Sequence, residues 1–73
     1  MIDYNVNIDF EDQLPESFID LLRETEGYDR NGEDGSYINM VDAIDNGAKY
    51  LCEHGRISKE QWNRLMCKYK WWE

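Results

Sequence analysis

The sequence predicts a mainly helical α+β domain, in which one N-terminal β-strand precedes three helices packed as a small bundle. Three observations carry that expectation. Residues 2–10 alternate apolar and polar with period 2, three later stretches repeat apolar residues at helical spacing, and Pro, Gly and Ser fall between them. A length of 73 residues allows one domain with a modest core. Hydrophobic residues at 41% and aromatics at 14% set the chain apart from disordered sequences.

The strand places Ile2, Tyr4, Val6, Ile8 and Phe10 on one face and Asp3, Asn5, Asn7 and Asp9 on the other. A lone strand leaves its backbone donors and acceptors unpaired, so it requires a neighbour. Ser36–Val41 is an internal candidate; otherwise a homodimer through residues 2–10, or another protein, would pair the free edge.

The first helix is expected at 15–26. Pro15 suits the first helical position, where its missing N–H costs nothing, and Gly27 suits the stop. Leu14, Phe18, Leu21, Leu22 and Thr25 share one face, while Glu16, Asp20 and Glu24 share another at i, i+4, i+8. Tyr28 to Ser36 reads as a polar connecting loop. Ser36 then caps a second helix whose seam is Tyr37, Val41, Ile44, Ala48 and Leu51; Asn46-Gly47 inside the seam predicts a kink or a split, and Gly55 ends it.

The third helix opens on the capping box Ser58-x-x-Gln61, with Ile57 and Trp62 set as a hydrophobic staple. Its apolar stripe is Trp62, Leu65, Met66, Tyr69 and Trp72. The expected core is Ile2, Tyr4, Val6, Ile8, Phe10, Phe18, Leu21, Leu22, Val41, Ile44, Leu51, Trp62, Leu65, Met66 and Tyr69. The stretch from Leu51 through Gly55, Ile57, Ser58 and Glu60 to Leu65 resembles short helical hairpins found at the ends of many bacterial proteins. Capping physics alone accounts for that likeness, and it implies no function.

Sixteen acids against eight bases give a net charge of −8. That balance argues against direct binding to nucleic acid or to anionic membranes, which need a basic footprint. The charge is also uneven: residues 1–46 hold 13 acids and 2 bases, whereas 47–73 hold 3 acids and 6 bases. No stretch is apolar enough for a membrane span, and Met1 to Asn5 lacks the basic and apolar regions of a secretory signal, so a cytoplasmic location is expected. Cys52 and Cys67 are expected as reduced thiols.

Catalysis is not expected. His54 is the single histidine, and neither Ser nor Cys stands in a recognisable nucleophile motif beside it. Cys52, His54 and Cys67 lack the paired spacing of a structural zinc site, and no cofactor is expected. The segment Asp29 to Gly35 resembles an EF-hand calcium loop, which implies Asp29, Asn31 and Glu33 as ligands. It departs from the pattern where Asp34 replaces the turn glycine and Met40 stands in place of the closing glutamate. A calcium-binding loop domain is therefore an alternative to a plain polar connector.

Two surface features point to a protein partner. The acidic face of Glu16, Asp20, Glu24, Asp29, Glu33 and Asp34 presents carboxylates at intervals that can stand in for phosphates. In size and charge, though not in sequence, the chain resembles small phage- or plasmid-type inhibitors of restriction and CRISPR enzymes. That likeness implies a DNA mimic occupying the basic surface of a nucleic-acid-binding protein. The second feature is an aromatic and basic patch of Arg64, Lys68 and Trp71, a composition common at interface hot spots. The leading expectation is a non-enzymatic interaction module with inhibitory function; the other alternative is a structural homodimerisation or assembly unit.

Overall fold

Three helices are built from the three periodic stretches: α1 at Glu16–Asn31, α2 at Asp34–Glu53 and α3 at Lys59–Lys68. The computed structural model describes residues 1–70. A single 3₁₀ turn, Glu11–Gln13, precedes α1. The radius of gyration is 11.4 Å, against about 11 Å for a compact chain of this length. Helices α1 and α3 both pack on α2, which buries its whole predicted seam of Tyr37, Val41, Ile44, Ala48 and Leu51.

The N-terminal strand does not form. Among the described residues the only β pairing is an isolated antiparallel bridge between Ile2 and Tyr69. The physical reason lies at Asp3. Its carboxylate accepts the Asn5 N–H at 3.0 Å, and its carbonyl accepts the Val6 N–H at 3.2 Å. An Asx turn of this kind ends the extended run and breaks the alternation. Ile2 is buried before the turn, Tyr4 is thrown outward at 56% exposure, and Ile8 and Phe10 are buried again beyond it.

The segment lies on α3 of its own chain instead. The Asp3 N–H donates to the Lys68 carbonyl at 2.8 Å, the Met1 ammonium donates to the Lys70 carbonyl at 2.7 Å, and Arg64 Nε donates to the Asn7 carbonyl. At the other end Gln61 Nε2 donates to Gln13 Oε1 at 3.3 Å. Ile2, Ile8 and Phe10 fill the helical core with Val6 at its edge, and Ser36–Val41, the internal pairing candidate, belongs to α2.

Helix α1 starts one residue later than expected, with Pro15 at the N-cap, and runs four residues past Gly27. The cost of a helical glycine, about 1 kcal/mol, is offset by Tyr28, which packs on the core edge and donates to Glu24, and by Arg30, which lies 3.7 Å from Glu26 one turn back. The stop is Gly32, whose left-handed φ of 72° lets its N–H close on the Asp29 and Tyr28 carbonyls. The expected loop shrinks to Gly32 and Glu33. Ser36 lies inside α2 rather than capping it.

Helix α2 is continuous through Asn46-Gly47 and is not split there. The glycine has a packing role: a Cβ on Gly47 would stand 2.7 Å from the ring of Phe18, so its absence lets α1 and α2 close together. The second left-handed glycine, Gly55 at φ 72°, follows α2, as expected. Helix α3 has both halves of its capping box, Gln61 N to Ser58 Oγ at 3.1 Å and Ser58 N to Gln61 Oε1 at 2.8 Å. Ile57 is buried, and Trp62 is half-buried with its indole N–H donating to Asp45 at 3.0 Å.

Of the expected core, Tyr4 is exposed, while Val6, Leu21, Trp62 and Met66 sit half-buried at its edge. Leu14, Tyr37, Ala48 and Ile57 join it, and buried Thr25 turns its hydroxyl to the Leu21 carbonyl at 2.7 Å. Trp71 and Trp72 lie outside the described residues.

Candidate functional site

The acidic half of the chain does not act as one field, because the fold neutralises part of it. Both of its bases are spoken for. Arg23 reaches Glu11 at 2.7 Å and Glu26 at 3.4 Å, and Arg30 reaches the other oxygen of Glu26. The Glu11 carboxylate holds the Arg23 guanidinium above its ordinary pKa. Glu26 is the enclosed acid, its side chain 14% exposed, and it also accepts from the Tyr69 hydroxyl at 3.5 Å. Asp3 lies 3.9 Å from Lys70, and Asp45 is held by Trp62.

What remains outside is a stripe. Glu16, Asp20 and Glu24 are all exposed on the outer face of α1, and no basic side chain pairs with them among the described residues. Successive members are about 6 Å apart along the axis, at 1.5 Å per residue. Glu24 accepts the Tyr28 hydroxyl at 3.1 Å, which leaves its charge in place and raises the Tyr28 pKa. Glu33 and Asp34 are exposed at the turn that ends α1.

Asp29 does not join them. It turns toward the N-terminal segment and accepts the Tyr4 hydroxyl at 3.2 Å. Burial, then Asp29 itself, raises the Tyr4 pKa. Five of the six acids singled out in the sequence are therefore solvent-facing, and three form one continuous line.

The calcium-loop geometry is absent. Asp29 and Asn31 belong to the last turn of α1, so the backbone that would wrap a cation is helical. No group of three or more His, Cys, Asp or Glu among the described residues is arranged to hold a metal ion. Cys52, His54 and Cys67 are likewise not gathered: Cys52 is half-buried on α2, His54 is exposed at its end, and Cys67 is exposed on α3.

The basic patch on α3 is divided. Arg64 holds the N-terminal segment through Asn7, and Lys68 lies over the Tyr69 ring at 5.6 Å from its centre. Trp71, the third member, falls outside the described residues. Tyr69 and Tyr37 are buried, and burial pushes both phenols well above their ordinary value. The Tyr37 hydroxyl donates to the Lys70 carbonyl. These contacts assign Arg64 and the two tyrosines to fastening the chain ends.

One surface residue was not singled out in the sequence. Tyr50 on α2 is 61% exposed and stacks on His54, ring centres 4.1 Å apart. It lies off the seam, one position before Leu51, so a helical wheel of residues 34–53 is the signal that finds it. It borders a groove of about 270 Å³ between the start of α1 and the end of α2, floored by Phe18, Leu21, Gly47 and Leu51. Comparison with known protein families, with curated proteins and with solved structures finds no match for the chain.

Proposed function

We propose that this chain is a non-enzymatic interaction module whose α1 stripe engages a basic, nucleic-acid-binding surface of a partner protein and so blocks it. The observation that carries the reading is the selective neutralisation described above. The fold spends Arg23 and Arg30 on Glu11 and Glu26 and leaves Glu16, Asp20 and Glu24 in open solvent. Like charges at i, i+4 cost roughly 0.2–0.5 kcal/mol per pair. A stripe that stability disfavours is a sensible place for recognition.

Magnitudes set the kind of mimicry. The described residues carry 15 acids and 8 bases over a longest dimension of 34 Å, about one net charge per 5 Å. One DNA strand carries a phosphate per roughly 3.4 Å of axis and the duplex one per roughly 1.7 Å. The protein is therefore closer to a single strand than to a duplex, and the surface it suits is a groove that tracks one strand. Such a complex is salt-sensitive.

The test is affinity capture from nuclease-treated lysate with the parent chain and with the triple variant Glu16→Gln/Asp20→Asn/Glu24→Gln. The expected result is a nucleic-acid-binding protein held by the parent, eluted by a single-stranded oligonucleotide, and lost from the variant. Equal retention by the two chains refutes the acidic-stripe reading.

A further inference from the structure

We infer that the groove beside Tyr50 is an apolar anchor site, which receives one large apolar side chain from a basic segment of the partner while Asp20 and Glu24 meet the flanking cations. This rests on the acidic-stripe reading and adds a residue-level component to it. The groove is apolar, with Pro15, Phe18 and Leu21 of the α1 side facing Gly47, Tyr50 and Leu51 of α2. Its volume of about 270 Å³ suits one leucine- or phenylalanine-sized side chain with room for its approach.

Two features mark it as built for contact. Gly47 brings the helices close enough for Phe18 to form the floor, and any Cβ there would press on that ring. Tyr50, the most exposed large apolar side chain of the described residues, is steadied against His54. A pre-placed tyrosine gives up little side-chain freedom on binding.

The choice of occupant follows from charge. On the α1 wheel the acid stripe lies on the solvent side of the groove, with Asp20 and Glu24 about 100° and 60° from Leu21. On α2 the exposed residues within one turn of Tyr50 are Asn46, Lys49, Glu53 and His54. An apolar slot bordered on its α1 side by a line of unpaired carboxylates is complementary to a segment carrying Lys or Arg around one apolar residue, and it repels an acidic one.

The test uses two synthetic 12-residue peptides, rich in Lys, with Leu or Ser at the centre. Each is titrated by calorimetry and by amide shifts against the parent, Tyr50→Ser and the triple stripe variant. The Leu peptide is expected to bind the parent about tenfold more tightly than the Ser peptide, the factor that burying one leucine supplies. Its shifts should centre on Leu21, Gly47 and Leu51, and Tyr50→Ser should abolish the discrimination with the helical circular dichroism unchanged. Equal affinities for the two peptides, or binding of neither, overturn the anchor. Equal affinities that both fall in the triple variant leave the acidic stripe standing, so the two failures are separable. Concentration-dependent self-association that Tyr50→Ser abolishes would assign the groove to a second copy and also overturn the inference.

Discussion

Gly47→Ala sets two physical effects against each other. Replacing a helix-interior glycine by alanine ordinarily stabilises a helix by about 1 kcal/mol. Here the new methyl would lie 2.7 Å from Phe18 Cε1 and 3.1 Å from Cδ1, against a buried ring. Relieving that contact requires a ring shift of roughly half an ångström in a packed core, and overpacking of this kind costs typically 1–3 kcal/mol. The net expectation is a loss of about 1 kcal/mol, seen as a fall in melting temperature of some 4–8 °C for a domain of this size. Urea unfolding followed by circular dichroism measures it. The decisive control is the same change in a Phe18→Leu background. There the clash is removed, the propensity gain survives, and Gly47→Ala becomes neutral or stabilising. If Gly47→Ala stabilises the parent by the full helical increment, Gly47 is a tolerated defect and the close approach of α1 to α2 does not depend on it.

Three further expectations follow from the same contacts. Ser58→Ala removes one half of the capping box on a ten-residue helix and should cost about 1 kcal/mol; a loss below a few tenths by urea titration would mean that the cap contributes little. Asp20→Asn relieves two i, i+4 repulsions, with Glu16 and with Glu24, and should raise stability by roughly 0.4–1 kcal/mol at low salt while weakening partner capture. A stabilised variant that captures as well as the parent would remove the functional reason for the charge. Alkaline pH tests the two buried phenols. Their folded pKa values lie above the ordinary 10, so the unfolded chain releases protons first. Their stabilising contribution is full below about pH 10 and is lost as pH rises beyond it. Absorbance at 295 nm should show two tyrosines ionising together with loss of helix; complete ionisation with the helices intact would contradict the assigned burial.

The helical seams were legible because burial imposes a period that sequence displays directly. Tyr37, Val41, Ile44, Ala48 and Leu51 are all buried, and the α3 capping box is formed in both directions. The N-terminal segment was misread because strict alternation signals alternate burial, and a strand is only one way to achieve it. Ile8 and Phe10 are buried against helices, and an Asx turn at Asp3 interrupts the extended run before them and turns Tyr4 outward. Gly27, Gly35 and Gly47 were read by propensity, yet each lies within a helix, because tertiary packing outweighs a cost of about 1 kcal/mol.

The candidate site was legible in composition but not in detail. The stripe of Glu16, Asp20 and Glu24 follows from the helical wheel alone. The withdrawal of Asp29 by Tyr4, and the enclosure of Glu26 by Arg23, Arg30 and Tyr69, depend on contacts 25 and 43 residues apart in sequence that local pattern does not encode. Tyr50 could have been found from the wheel. Its significance came from Phe18 and Gly47, which the fold brings beside it.

The central claim is that the open carboxylates of α1 are the recognition element. The most direct measurement is capture from nuclease-treated lysate by the parent and by Glu16→Gln/Asp20→Asn/Glu24→Gln, with elution by a single-stranded oligonucleotide. The account predicts a nucleic-acid-binding protein that the oligonucleotide releases from the parent and that the variant fails to retain. A partner held equally by both chains, or indifferent to the oligonucleotide, would contradict it.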